Sequence, residues 1–420
     1  MSSIPARHSP PEQRLPASSA RIVSLKPLTA LIAVPTLDAG AADHGALELV
    51  RVLTAAGHKA IVVSSGGRLV KDVLGAGGEL IRINVASKNP FVMLRNGFAL
   101  ARIARERGCD ILHAHGRAPA WCTFLAARRT GLPLLTTWHK GFREQNLFKR
   151  LYNSVMVRGD RMIAPSEQIA QLAVDRYSTP WDRIRVIPGC LDAARFDIGK
   201  MTRERIEAVR AAWGIGPDTR VILVVGRLIR RKGHHVMVRA AQRLRERGLK
   251  NFLCVFVGED RGQTQYAGEL WDLVLSSDTA GIVRLGRPCE DLPAAYAAAS
   301  VVVSAAVQPE GLQRAIVEAQ AMARPVVVSD VAAGPDVVLS PPAVPEHLMT
   351  GLRFPAGDEA ALADTLLRVF SMPEPARDAI GARGRDWVLG QFSEAAVAQQ
   401  TLALYAEVAS QNRAARHRAG

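Results

Sequence analysis

The sequence predicts an α/β protein built from two doubly wound halves with parallel sheets, and two features carry that prediction. Apolar runs of strand length alternate with amphipathic helical stretches from Leu28 onward, and the alternation starts afresh at Val221 after a loop-like region at residues 189–200. Such alternation implies parallel βαβ units with helices on both sheet faces. Ligands bind at the carboxyl ends of such strands, so two facing sheets place the site in the cleft between them.

The elements of the first half follow from periodicity and from turn residues. Short apolar runs bounded by turn residues are typical of buried strands. We predict strands at residues 28–35, 59–64, 80–85, 110–113, 134–137, 161–164 and 185–188, with helices at 46–56, 90–107 and 119–130. Gly57 ends the first helix and Ser166 begins a further one, because glycine stops helices and serine caps their first turn.

The second half repeats the pattern after a charged helix at residues 202–213. We predict strands at residues 221–225, 252–257, 283–285, 301–304 and 326–329, helices at 235–247, 266–276 and 312–322, and one further segment at 292–299. A last apolar-periodic helix covers residues 393–409.

Composition excludes several classes of protein. The 420 residues are 48% hydrophobic and 22% charged, which is typical of a globular chain. No apolar run approaches the roughly 18 residues of a membrane-spanning helix, and residues 1–20 are predicted to be a disordered tail without an export signal. The five cysteines show no CxxC spacing, which argues against a disulfide framework or a zinc site and favours a reducing cytoplasm.

The positive charge is concentrated in the first half of the chain. Residues 1–200 carry 28 basic and 15 acidic side chains, against 26 and 24 in residues 201–420. This imbalance indicates an anionic partner for the first half, such as a membrane face or a phosphorylated acceptor, although a generally arginine-rich soluble protein has the same composition. Nucleic acid is not expected, because no base-reading module or interleaving of aromatic and basic residues is present.

The segment 309–319, Pro-Glu-Gly-Leu-Gln-Arg-Ala-Ile-Val-Glu-Ala, follows a predicted strand and begins a helix. Glu310 precedes the helix, and Glu318 lies about two turns further on. The amides of Gly311, Leu312 and Gln313 are then first-turn donors, which suit an anion. Glu310 as a simple helix cap is the alternative interpretation.

Cations for the same site come from Gly226-Arg227-Leu228 and Lys232-Gly233. Arg227 ends one strand, and Lys232 precedes the next helix. Two fixed cations and helix-terminal amides hold a diphosphate and stabilise it as a leaving group without a metal. The alternative interpretation is that Arg227 and Lys232 are ordinary solvated basic residues.

These motifs together resemble the retaining glycosyltransferases of family 4, which have the GT-B fold. Further matches are Val186-Ile187-Pro188-Gly189 with Asp192 and Phe196, the strand end 110–115, and Thr136-Thr137-Trp138-His139. The resemblance covers roughly residues 28–410. The stretch at residues 113–160 is also similar to the bacterial lipopolysaccharide-core members of the family. It implies a Rossmann-like acceptor domain at 21–195, a Rossmann-like sugar-nucleotide domain at 196–392, and a crossover helix at 393–412 that returns to the first domain.

The resemblance also implies roles for individual residues. Glu310 lies near the donor sugar, Glu318 accepts the ribose hydroxyls, and Arg227 and Lys232 bind the diphosphate. His115 reaches the donor sugar or its β-phosphate. The remaining candidates are Gly40, Gly226, Arg287, Gly311, Leu312 and Gln313 on the donor side and His113 and His139 on the acceptor side. We expect no metal and no cofactor, because no third ligand accompanies the histidines, and the co-substrate is a UDP- or GDP-linked sugar.

The chain departs from the family pattern at four places. Gly40-Ala41 replaces two adjacent glycines, and Leu312-Gln313 follows Gly311 where Phe-Gly is usual, which puts a side chain where the diphosphate approaches. Ala323 replaces a glycine, and Asp336 replaces a glutamate. These departures keep open an alternative, a catalytically degenerate protein of the same fold that binds sugar nucleotides or membranes. Sugar-nucleotide epimerases and phosphorylases are disfavoured by the motifs.

Two amphipathic segments, residues 89–107 and 140–158, carry aromatic residues among basic ones. They predict contact with an anionic membrane, with core packing and a solvated basic face as the alternative. Together with these segments, the resemblance implies a cytoplasmic enzyme on the inner face of the membrane that transfers a hexose to an anionic glycolipid or glycan, such as a lipopolysaccharide core.

Overall fold

The computed structural model describes residues 26–38, 40–139, 146–258, 264–286, 289–308, 312–331 and 337–419. Within them the chain forms two parallel sheets, one of seven and one of six strands, with helices packed on both faces. The two doubly wound α/β domains expected from the sequence are therefore confirmed. The predicted tail at residues 1–20 lies outside the described residues.

The first sheet has the strand order β3-β2-β1-β4-β5-β6-β7. Its strands are β1 (Thr29–Ala33), β2 (Lys59–Ser64), β3 (Glu79–Arg82), β4 (Ile111–His115), β5 (Leu134–Thr137), β6 (Arg161–Ala164) and β7 (Ile184–Val186). Its helices are α1 (Ala41–Ala55), α2 (Val70–Gly75), α3 (Pro90–Glu106), α4 (Arg117–Thr130), α5 (Leu147–Asn153) and α6 (Glu167–Tyr177). The order in which strands are added to the sheet reverses between the parallel neighbours β1 and β4. This switch point opens a crevice at the carboxyl ends of the two strands.

The second sheet has the order β10-β9-β8-β11-β12-β13, and its reversal lies between β8 and β11. Helix α7 (Arg203–Ala212) precedes β8 (Arg220–Val225), β9 (Phe252–Val257), β10 (Val283–Gly286), β11 (Val301–Ser304), β12 (Val326–Ser329) and β13 (Leu352–Phe354). The remaining helices are α8 (His234–Glu246), α9 (Thr264–Ser276), α10 (Leu292–Ala298), α11 (Arg314–Ala321), α12 (Glu359–Ser371), α13 (Glu374–Phe392) and α14 (Glu394–Ala419).

Local signals explain several helix ends. The Asn89 side chain accepts hydrogen bonds from the amides of Phe91 and Val92, and Pro90 occupies the first position of α3. Ser166 caps α6 through the amide of Ile169. Gly131 ends α4 in the left-handed conformation, φ 68°, which glycine adopts without strain.

The two chain segments that connect the domains, around Leu191 and around Ser393, lie side by side. Leu191 forms an isolated β-bridge with Ser393, and its amide donates to the Phe392 carbonyl at 2.7 Å. Helix α13 packs in the core of the second domain, whereas α14 packs against α1 and the first sheet. Glu407 of α14 pairs with Arg161 at 2.7 Å and Arg185 at 3.1 Å, which ties the end of the chain to the first domain.

Several predicted bounds were wrong. Strand β4 continues to His115 instead of ending at residue 113, because the polar histidines are enclosed by neighbouring elements. Helix α1 begins at Ala41 rather than residue 46, since Asp43 supplies the first-turn contacts. Elements α2, β13, α12 and α13 were not predicted, and α5 occupies only part of the amphipathic segment expected at residues 140–158.

No helix within the described ranges is both long and apolar enough to cross a membrane.

Candidate active site

Contacts at the carboxyl edges bring the two domains together. Arg314, at the start of α11, lies 3.8 Å from Glu48 of α1, measured from Nη1 to Oε1. The Cys190 amide donates to the other oxygen of Glu48 at 3.4 Å. Burial raises the pKa of Glu48, which the positive charge of Arg314 partly opposes. Arg314 is therefore a link between the two halves, a role that no motif in the sequence indicated.

The turn after β8 is shaped by glycines. Gly226 has φ 155°, and a Cβ there would lie 3.5 Å from Cε of Lys232, so the lysine side chain lies along this glycine. A Cβ on Gly233, φ 71°, would lie 1.6 Å from the Ala305 carbonyl oxygen, and one on Gly258 would lie 1.9 Å from the Gly226 oxygen. No residue larger than glycine fits positions 233 and 258, so the loop that carries Lys232 is held tightly against its neighbours.

Arg227 supplies the second cation of this turn. Its side chain is exposed, and it has no ion-pair partner among the residues that the structure describes. The structure thus places Arg227, Lys232 and Gly226 together at the carboxyl end of β8. An exposed guanidinium beside an ammonium is a suitable setting for a diphosphate.

His234, the first residue of α8, was missed by the sequence analysis. Its side chain is fully buried against the Phe256 ring, with centroids 5.3 Å apart. Burial, and then the charges of Lys232 and His235, lower its pKa to about 3. The imidazole is therefore neutral and adds no charge to the cationic turn. A histidine next to a lysine-glycine pair was the only available signal.

Glu318 is held by a tyrosine that sequence reasoning did not identify. Tyr296 is fully buried on α10, and its hydroxyl donates to Oε2 of Glu318 at 2.9 Å. Arg314 Nε lies 4.0 Å from Oε1. Burial raises the pKa of Glu318, while the Tyr296 hydrogen bond and Arg314 oppose the rise. The carboxylate has a fixed orientation, which suits an acceptor of two ribose hydroxyls.

Gln313 does not protrude as the sequence suggested. Its side chain is 3% exposed, and its Oε1 accepts a hydrogen bond from Ser304 Oγ at 3.1 Å. The amide side chain thus packs against the end of β11, and the expected obstruction is absent at this position. Leu312 contacts the interdomain segment, where a Cβ on Gly189 would lie 3.8 Å from Leu312 Cδ2.

Four positions singled out by the sequence lie outside the described residues: Glu310, Gly311, Arg287 and Asp336. Ala323 is described and has φ 53°, the left-handed region, which explains why glycine suits this position. Gly40 is also described, and its amide donates to Asp43 Oδ2 at 2.8 Å, so this amide is not a free donor for a phosphate.

The three candidate histidines cluster at the ends of β4 and β5. Nδ1 of His115 lies 2.9 Å from Nε2 of His139, while Nε2 of His115 is buried with no hydrogen-bond partner among the described residues. Gly45 of α1 makes room for this pair, since a Cβ there would lie 2.7 Å from His139 Cε1. Burial, together with the charges of His113 and His139, holds the pKa of His115 well below its usual value. His115 is therefore a neutral group, and one of its nitrogens has no partner in the part of the chain that the structure describes.

His113 has a structural environment rather than the predicted acceptor-side one. Its Nδ1 shares a hydrogen bond of 2.8 Å with the Tyr405 hydroxyl of α14, and its Nε2 shares one of 2.7 Å with Thr137 Oγ1. Both ring nitrogens are thereby used inside the protein, so none is left for an acceptor. Burial lowers the pKa of His113 to about 3. Tyr405 could not be connected to His113 from sequence, because 292 positions separate them.

Comparison with known proteins agrees with this geometry. The family model for Glycosyltransferase Family 4 matches residues 42–195, and the model for Glycosyl transferases group 1 matches residues 219–372. The chain belongs to the family 4 glycosyltransferases with the GT-B fold. The two matched regions divide this family 4 chain into the same halves that the two sheets define.

Individual relatives are similar over part or all of the chain. A glycosyltransferase from Rickettsia africae ESF-5 is 28% identical, with a TM-score of 0.80, and the match covers 91% of this chain and 99% of that one. The Alr3699/HepE protein of Anabaena, solved with UDP and glucose, is 18% identical with a TM-score of 0.72, covers 90% and 100% of the two chains, and shows the fold alone.

A D-inositol 3-phosphate glycosyltransferase from Nocardiopsis dassonvillei is 32% identical over 212 residues, which are 46% of this chain and 48% of the relative. This family 4 chain thus spans about half the length of the curated relatives that it matches.

Proposed function

We propose that the protein transfers a hexose from a UDP- or GDP-linked sugar to a membrane-associated glycan or glycolipid, with retention of configuration at the anomeric carbon. The observation that carries the proposal is the turn after β8, where Lys232 lies along Gly226 beside the exposed Arg227. Glu318, oriented by Tyr296, supplies the carboxylate for the ribose of the same nucleotide.

The proposed reaction breaks the bond between the anomeric carbon and the diphosphate oxygen. The bonding electrons leave with the diphosphate, and Arg227 and Lys232 stabilise the charge that develops there. The acceptor hydroxyl attacks from the same face, forms the new glycosidic bond and gives its proton to the departing phosphate oxygen. His115, neutral and with no partner for its Nε2 among the described residues, is suited to a hydrogen bond with the donor, as the family resemblance implies for it.

The acceptor is proposed from charge and from relatives. The first half of the chain is strongly basic, which favours an anionic acceptor such as a lipopolysaccharide core or a related envelope saccharide. The inositol 3-phosphate glycosyltransferases suggest a second anionic class, a phosphorylated polyol. Both acceptor classes are anionic, so the charge of the first half does not distinguish them. Separate transfer assays with each acceptor do.

Membrane contact is proposed from apolar side chains on two helices of the first domain. Helix α4 packs against α3 and is joined to α5 by hydrogen bonds from Trp121 to the Tyr152 carbonyl and from Arg117 to Asn153. The exposed apolar residues are Phe91, Leu94 and Phe98 on α3 and Leu147, Phe148 and Leu151 on α5. Basic residues also lie on both helices, so these helices combine apolar anchors with positive charge, as an anionic membrane surface requires. We propose that they rest on the inner face of the cytoplasmic membrane.

The first test is a thermal-shift screen of the purified protein against UDP, GDP, ADP and their sugar conjugates, since a ligand of the folded protein raises its melting temperature. We expect one nucleotide class to give a shift. UDP is tested first, because the Anabaena protein was solved with it. No shift with any nucleotide from a folded sample contradicts the proposed donor site.

Turnover is then measured with Lys232→Ala. Loss of a cation that stabilises the leaving group is expected to lower the rate by about a hundredfold or more. The matched control is Arg239→Gln, which removes an exposed positive charge from α8 and is expected to leave the rate unchanged. Equal rates in wild type and Lys232→Ala contradict the assignment. Nucleotide binding without hydrolysis or transfer in the wild type supports the alternative, a degenerate sugar-nucleotide binding protein.

A further inference from the structure

A second candidate binding site lies at the edge of the first sheet opposite the catalytic cleft. An open cavity of about 810 Å³ is bounded by the end of α4, the loops before β5, β6 and β7, and α14. The four residues of β5 separate this edge from the histidine cluster by about 13 Å. The cavity is therefore distinct from the proposed donor and acceptor sites.

Three arginines line this cavity, Arg128, Arg158 and Arg183. None of them forms an ion pair with any residue that the structure describes. Two other arginines of the same sheet, Arg161 and Arg185, are both paired with Glu407. Among the described residues, the three lining arginines thus lack the carboxylate partner that Arg161 and Arg185 have.

The guanidinium groups are also held in place. Arg158 lies over the Trp121 ring, 5.4 Å from its centroid, and its Nε donates to Ser154 Oγ at 3.0 Å. Arg128 lies 5.6 Å from the centroid of Phe124, and Arg183 donates to the Gly159 carbonyl. These contacts leave terminal NH groups of the guanidinium planes available, and pre-positioned guanidinium groups suit the two-pronged hydrogen bonding of a phosphate.

The rest of the lining decides the chemical class of the ligand. Asp160 is the acidic residue among the lining residues, and its Oδ2 accepts a hydrogen bond from the Leu134 amide at 2.8 Å. Apolar side chains of Leu132, Val157 and Val408 form part of the wall. A net positive, partly apolar cavity fits an amphiphilic molecule with a phosphate group better than a bare inorganic ion.

We propose that this cavity binds a phosphate-bearing amphiphile at a site separate from the transferase cleft. The phosphate is held by Arg128, Arg158 and Arg183, and the apolar part lies against α4 and α14. The same chemistry is offered by an anionic phospholipid of the membrane and by a soluble phosphate ester. The proposal does not depend on the transferase activity, because it uses none of the residues assigned to that reaction.

The test is calorimetric titration of the full chain with short-chain phosphatidylglycerol below its micelle concentration and, separately, with glycerol phosphate. Arg158→Gln and Arg128→Gln are each expected to weaken binding at least about tenfold, the effect of losing a charge-assisted hydrogen bond. Arg239→Gln, a matched loss of charge in the other domain, is expected to have no effect. Lys232→Ala reports any phosphate bound in the donor loop, which Arg158→Gln leaves unchanged.

The pattern of binding identifies the source of the ligand. Binding of the lipid alone indicates a membrane phospholipid, and equal binding of glycerol phosphate indicates a soluble ester. Arg128 makes no hydrogen bond with a described residue, so its variant is expected to keep the wild-type melting temperature even if Arg158→Gln unfolds. No binding of either probe to the folded wild type overturns the proposal, as does binding that is unchanged in Arg128→Gln and in a folded Arg158→Gln.

Discussion

Replacing Tyr296 by phenylalanine removes the hydroxyl that donates to Glu318 Oε2 at 2.9 Å and leaves the buried ring in place. A hydrogen bond to a charged group contributes about 1.5–3 kcal/mol, and 1.4 kcal/mol corresponds to a tenfold change in binding. Because Glu318 loses both its orientation and a donor that favours its ionised form, we expect nucleotide affinity at neutral pH to fall by about tenfold.

The same change has a definite pH signature. Burial already raises the pKa of Glu318, and the Tyr296 hydrogen bond opposes that rise, so its loss raises the pKa further. Ribose hydroxyls donate to the ionised carboxylate, so nucleotide binding strengthens as pH rises through this pKa. In Tyr296→Phe the strengthening is expected at higher pH than in the wild type.

The stability that Glu318 contributes depends on pH in the opposite direction to nucleotide binding. A carboxyl group whose pKa is higher in the folded protein than in the unfolded chain stabilises the fold most at low pH, below its unfolded pKa. That contribution is lost as pH rises through the folded-state pKa. Tyr296→Phe is therefore expected to be less stable than the wild type mainly above that pH.

The assay is calorimetric titration with the nucleotide found in the thermal-shift screen, at a series of pH values, with urea unfolding in parallel. Tyr266→Phe is the control, since this hydroxyl lies in the same domain but contacts His235 at 3.2 Å instead of Glu318. An affinity and pH profile of Tyr296→Phe equal to those of the wild type would refute the role assigned to the Tyr296–Glu318 pair.

Three further predictions concern stability and membrane contact. Ala323→Gly removes the strain of an alanine in the left-handed region, φ 53°, and is expected to raise the free energy of unfolding in urea by about 0.5–1 kcal/mol. An unchanged free energy of unfolding would contradict this strain. His113 and His234 have folded-state pKa values of about 3. The stability that they contribute above pH 6.5 is therefore expected to be lost as pH falls toward 3. A free energy of unfolding that does not change over this pH range would contradict the prediction. Phe91→Ser combined with Phe148→Ser removes side chains 83% and 84% exposed and is expected to weaken sedimentation with phosphatidylglycerol vesicles at least about tenfold, whereas Trp271→Ser is not.

Much of the fold could be read from local patterns. Strands β2, β5, β6, β9, β11 and β12 have the predicted bounds, because each is an apolar run buried on both faces and bounded by turn residues. No element was predicted between β12 and the last helix, although this region contains β13, α12 and α13. Helix α13 has small and charged residues around much of its surface, so no apolar stripe marks it as a helix.

Contacts in the candidate site could be predicted only where the two residues are close in sequence. Gly226 and Lys232 are six positions apart on one turn, so their proximity follows from local structure. Their motif therefore predicted a cationic turn without reference to the rest of the fold. Arg314 was part of a motif too, yet its contact with Glu48 joins two domains and had no local signal.

The sequence by itself determined the two α/β domains and the cationic turn at the end of β8, because strand periodicity and glycine turns act over a few residues. Tertiary structure alone decided that His113 contacts Tyr405, that Tyr296 orients Glu318 and that Gln313 packs inward against Ser304. These are side-chain contacts between separate elements. They depend on how sheets and helices pack in three dimensions, and periodicity along the chain carries no record of that packing.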